Sequence, residues 1–160
     1  MIRLARILTT AALLTLLVAC GGNDSAERSG STGPSAAPAA AMGRTAATPG
    51  AAVFIISPVN GSTVSSPVAV KFGISGMTVA AAGQYDADSG HHHLLIDTEL
   101  ANPDQPIPSD AGHLHFGKGQ TETSIELPAG QHTLQLVLGD GNHIPHEPPV
   151  MSDTVTITVE

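Results

Sequence analysis

Apolar and polar positions alternate with a period of two in several short stretches of the chain beyond residue 50. Val68, Val70, Phe72 and Ile74 alternate with Ala69, Lys71 and Gly73, and near the C-terminus Val155, Ile157 and Val159 alternate with Thr154, Thr156 and Thr158. Leu94 and Ile96, Leu114 and Phe116, and Leu134, Leu136 and Leu138 repeat the pattern in between. Successive side chains of a strand point to opposite faces, so this pattern marks half-buried strands. Asn60-Gly61, Pro128-Ala129-Gly130 and Asp140-Gly141 supply turn chemistry between them. With no helical period competing, the prediction is all-β: an immunoglobulin-like β-sandwich of about seven strands, over 53–56, 68–74, 92–97, 113–116, 123–127, 132–138 and 154–159.

The N-terminus breaks this pattern. Arg3 and Arg6 precede an apolar run from Ile7 to Val18, which ends at Leu17-Val18-Ala19-Cys20. A positive start, a short apolar stretch and a small-residue cleavage site describe a secretion signal over 1–19, too short for a spanning helix of about 20 residues. Its end fits a lipobox, which makes Cys20 a lipid acceptor and anchors the mature protein to a membrane of the cell envelope, on the periplasmic or outer-surface side. Gly21, where an aspartate would hold the protein at the inner membrane of a two-membrane cell, favours the outer one. Residues 20–50, rich in Ala, Gly, Ser and Pro, lack the apolar content to fold and read as a flexible linker; 51–160 then form the one domain.

Charge and cysteine usage narrow the function. Removing Arg3 and Arg6 with the leader leaves four basic residues against fourteen acidic ones, a net charge near minus ten. That balance argues against nucleic acid and favours cations. Cys20 is the only cysteine, so no intrachain disulfide forms and no thiolate remains for a blue-copper site. Ser89 and Ser109 lack a nucleophile elbow, which leaves hydrolase chemistry without support.

Against this background, all eight histidines fall between residues 91 and 146. In an immunoglobulin-like order, the loops before the third strand and after the sixth meet at one end. If Leu94 and Ile96 face the core, His91 and His93 share the opposite face; if Leu114 and Phe116 do, His113 and His115 share theirs. A Pro-stiffened loop carries His143 and His146 over the same end. These six are the candidate metal ligands, and neutral imidazole suits copper or zinc. His92 points inward as a structural residue, His132 sits where sandwich domains carry a corner hydrogen bond, and Asp97, of the same parity as His93, is a structural residue or an outer support of the metal. The plain alternative is an exposed histidine patch without a metal.

The runs Val70-Lys71-Phe72-Gly73, Gly90 through Asp97, and His115 through Glu122 carry a further likeness, as do Gly130 through Asp140 and His143-Ile144-Pro145-His146 with Pro148-Pro149. Together they resemble the exported bacterial DUF4399 family, a domain of unknown function. The resemblance spans nearly all of 53–160 and implies one complete domain, with His91 to His93, His113, His115, Gln120, Glu122, His143 and His146 as its motif positions. It implies no activity and no ligand.

Three functional classes follow. The first is a metal-binding envelope lipoprotein that buffers or passes on copper or zinc. The second is a non-metal module that holds a glycan, peptide or protein partner. The third and weakest is a copper/zinc metalloenzyme, disfavoured because no arginine follows Arg44 to steer an anion.

Overall fold

The computed structural model describes residues 43–160. The leader over 1–19, Cys20 and most of the expected linker therefore lie outside the described residues. Nine strands follow: β1 (Ala52–Ser57), β2 (Thr63–Val64), β3 (Val68–Ser75), β4 (Thr78–Val79), β5 (Ser89–Ile96), β6 (His113–His115), β7 (Glu122–Ile125), β8 (Gly130–Gly139) and β9 (Val155–Val159). The seven expected strands are present, and the two-residue β2 and β4 are added.

The strands form a two-layer β-sandwich. One sheet has the order β1-β3-β7; the other runs β2-β9-β8-β5-β4, with β6 also paired to β5. Here one detail departs from the immunoglobulin constant-type order, in which the fourth long strand lies beside the fifth. β6 instead pairs antiparallel with β5, setting His115 opposite His93 and His113 opposite Leu95. The single residue Phe116 and the Gly117–Gly119 turn then carry the chain across to the other sheet.

Alternation fixes the core. Val68, Val70 and Phe72 of β3 are buried while Ala69 and Lys71 are exposed, and they meet Leu94, Leu134, Leu136, Leu138, Ile157 and Val159 from the larger sheet. β5 is buried on both faces from Ser89 through Leu95. Its inner face supplies His92 and Leu94 to the core; on its outer face Leu95 packs with Val137 and Ile107 in a second, smaller cluster. The segment between β5 and β6 thus folds back over the sheet and covers what would otherwise be a solvent face.

The expectation of a linker reaching Gly50 overshoots. Ala46 bridges Glu147, with Ala47 N–H donating to Glu147 O at 2.8 Å and Glu147 N–H to Thr45 O at 2.8 Å. Once the loop after β8 offers an unpaired backbone edge, even an Ala-rich stretch can dock on it.

Candidate metal centre

The start of β5 and the end of β8 lie side by side, with His91 paired to Gly139 and His93 to Val137. Parity places His91 and His93 on the outer face, and β6 adds His115 beside them. The fourth ring comes from the loop after β8, where the chain turns tightly around Asp140. Its Oδ1 accepts N–H bonds from Asn142 at 2.8 Å and Ile144 at 3.0 Å, and its main chain pairs with His143 N–H and Ile144 O. These bonds hold His143 at a φ of 67°, a left-handed conformation that histidine tolerates better than most residues. The His143 carbonyl accepts from Ile107 N–H at 2.8 Å, so the covering segment is tied to the same loop.

Four imidazoles meet here. The Nε2 atoms of His91 and His93 are 3.0 Å apart, and one ring nitrogen each from His91, His115 and His143 lie within 4.8 Å of one another. Ring centres are separated by 4.7 Å (His115 to His143) up to 5.9 Å (His93 to His143). His91 and His93 are fully buried, whereas His115 and His143 are partly exposed and form the open side.

Glycines make the space. A Cβ on Gly139 would stand 3.0 Å from Nε2 of His93 and 3.4 Å from Cα of His143, and one on Gly117 would overlap the His115 ring and stand 3.1 Å from Cβ of Ala82. The loop before β5 closes the rim: Gly83 N–H donates to Gly141 O at 3.1 Å, and the Tyr85 hydroxyl donates to Asn142 at 2.8 Å. Gly117, Gly139 and Asp140 were invisible as site residues in the sequence, since each reads as ordinary turn chemistry.

Electrostatics favour the neutral form of His91, His93 and His115. Burial lowers His91 to about 4, with His143 and His115 pushing the same way and the buried Asp140 opposing. Burial also takes His93 to about 2, helped by its three imidazole neighbours and His113. His115 is lowered by burial and by His143. Nδ1 of His91 and Nδ1 of His93 have no hydrogen-bond partner among the described residues, although each is buried. Uncharged imidazole is the form in which histidine binds a metal, through one ring nitrogen while the other keeps its proton.

The remaining candidates lie elsewhere. His113 turns to Asp110, its Nδ1 2.8 Å from Oδ1, and stands one rung beyond His115 against Leu95. His146 is a correction to the ligand list. Its Nδ1–H donates to Leu138 O at 3.3 Å, and its ring touches the inner side of Gly90, across the sheet from His93. The bridge between Gly139 and Pro145 turns the chain between His143 and His146, so the two rings part. Asp97 is not an outer support of the cluster: at the far end of β5, its Oδ2 is 2.6 Å from Nδ1 of His132 and its Oδ1 accepts from Thr133 N–H at 2.8 Å. His132 completes that corner by donating from Nε2 to Pro128 O at 3.0 Å. His92 faces the core against Phe72 and donates to Gln120 O at 3.3 Å. Gln120 caps Lys118 N–H and Glu122 lies near Lys71, so neither joins the rings.

The sequence model of the domain of unknown function DUF4399 matches residues 70–160. The chain belongs to the DUF4399 family. No curated protein and no solved structure matches it. The matched span includes all four clustered histidines and both glycines beneath them, so the pocket lies wholly within the DUF4399 domain.

Proposed function

We propose that this DUF4399 protein is an envelope lipoprotein, anchored through Cys20, whose sandwich holds one transition-metal ion between His91, His93, His115 and His143. The convergence of one ring nitrogen each from His91, His115 and His143 within 4.8 Å of one another, with Nε2 of His93 3.0 Å from Nε2 of His91, carries this reading. Nitrogens that share an ion at about 2.0–2.1 Å stand about 2.9 Å apart at right angles and about 3.3 Å apart in a tetrahedron. Imidazoles arranged tetrahedrally around one ion place their ring centres about 5.2 Å apart, and the six centre distances here run from 4.7 to 5.9 Å. The rings are mutually tilted, with interplanar angles from 34° to 82°. Neutral imidazole suits either zinc or copper.

Asp140 supplies negative charge close to His91, which offsets part of the charge of a divalent ion in a site without anionic ligands. The open side at His115 and His143 lets the ion enter and leave, as a buffering or delivery role requires. The partly exposed rings also have the freedom to close on the ion. Titration of chelator-treated protein with zinc and copper(II), read by melting temperature, tests the reading. Saturation at a hundredfold excess over the dissociation constant adds about 2.7 kcal/mol. No shift with either metal would turn the assignment to the non-metal class, with the imidazoles bridged by water.

A further inference from the structure

The backbone just before the sandwich is tied to the loop that presents His143. Thr45 donates its hydroxyl to Oδ2 of Asp140 at 2.8 Å, while Oδ1 of the same carboxylate holds the Asn142 and Ile144 N–H groups. One buried carboxylate therefore joins the strap to the metal loop. Arg44 reinforces the join. Its guanidinium, only 12% exposed, donates to Pro145 O at 3.1 Å, to His146 O and to Glu147, and lies 3.6 Å from Asp104. Asp104 belongs to the covering segment whose Ile107 holds the His143 carbonyl. The strap thus reaches both segments that fix the His143 backbone, and it lies outside the residues the family match covers.

From this we infer that residues 44–47 are a clasp for the metal loop: strap docking and metal binding stabilise one another, with Thr45 and Arg44 as positioning residues. The inference rests on the metal reading above. His143 is one of the two partly exposed ligands, so a metal loop held in place by the strap releases its ion more slowly. Linkage makes the effect reciprocal: if docking tightens zinc binding by some factor, zinc tightens docking by the same factor. Displacement of the strap would therefore reach the ion.

Trypsin and zinc titration on the full chain test it together. Cleavage after Arg44 requires the strap to lift; cleavage after Arg28 provides an internal reference. Zinc should slow the first about tenfold and leave the second unchanged. Thr45→Val should weaken zinc binding about tenfold, equivalent to about 1.4 kcal/mol, chiefly through faster release, and Thr45→Ser should restore it. The melting temperature of metal-free T45V checks that the fold persists; should it fall sharply, Arg44→Lys replaces it in the same assay, with a threefold or greater loss of zinc affinity expected. If zinc binds the unmodified chain but neither protects Arg44 nor responds to these substitutions, the clasp is overturned and the metal site stands. If zinc does not bind at all, both fall.

Discussion

Gly139 lies directly beneath His93, where an added Cβ would come within 3.0 Å of the ring's Nε2. The ring is fully buried. Gly139→Ala should therefore push His93 from its position, at a cost of about 1–3 kcal/mol typical of overpacking. Denaturant unfolding of the metal-free variant gives the first number, and zinc titration shows the second effect, a weaker site. An unchanged affinity would mean that His93 is not a ligand.

The histidines divide into clustered and remote sets, and substitution should divide them the same way. His143→Asn removes a ring from the pocket without unpacking the core and keeps a residue that tolerates the left-handed backbone, so the zinc-induced rise in melting temperature should disappear while the apo protein melts nearly unchanged. His113→Gln breaks a hydrogen bond to an exposed Asp110 and should keep the zinc-induced rise. Equal losses from both variants would place the ion elsewhere than between the four rings.

Much of this arrangement was legible from alternation alone. Leu94 and Ile96 in the core require His91 and His93 on the opposite face, and parity named His115, but what sets it beside them is the pairing of β6 with β5, which the immunoglobulin-like order did not contain. The separation of His143 from His146 was not legible. It depends on the backbone turn around Asp140 and the Gly139–Pro145 bridge, which local residue types do not specify. Asp97 had two readings from its parity and its distance along the strand, a structural residue or an outer support, and the first holds: His132 captures its carboxylate at the far end, a pairing that the spacing of the two residues does not reveal. Docking of the strap escaped as well, because Gly43 to Gly50 has linker composition and gains its partners only from the folded loop.

Acid should act on the metal-free pocket before it acts on the rest of the fold. His91 and His93 have folded values of about 4 and about 2, below the 6.5 of an unperturbed imidazole. Below pH 6.5 the unfolded chain takes up protons that the folded chain refuses, so stability falls as pH drops. Each group contributes a slope of up to about 1.4 kcal/mol per pH unit. For His91 the loss runs from pH 6.5 down to about 4, and for His93 it continues toward about 2. Urea unfolding at several pH values should show the decline in wild type and a flatter profile in His91→Gln. An identical slope in the two proteins would show that these rings do not govern the acid response.

The opposite sign holds at the His132 corner. Its pKa is raised, first by the hydrogen bond to Asp97 and then by the Pro128 carbonyl, so its stabilising effect is complete below pH 6.5 and is lost as pH rises through the folded value. Burial alone would lift Asp97, yet bonds from His132 and Thr133 bring it below the usual carboxylate value, so the partner's share is lost only in stronger acid. The pair therefore stabilises most between those limits. Asp97→Asn should lower the melting temperature more at pH 5.5 than at pH 9, and nuclear magnetic resonance titration should find the His132 pKa reduced. The variant should bind zinc as wild type does, because the corner and the four-ring pocket sit at opposite ends of β5 and share no hydrogen bond. A matching loss of zinc affinity would mean that the corner is transmitted along the strand to His93.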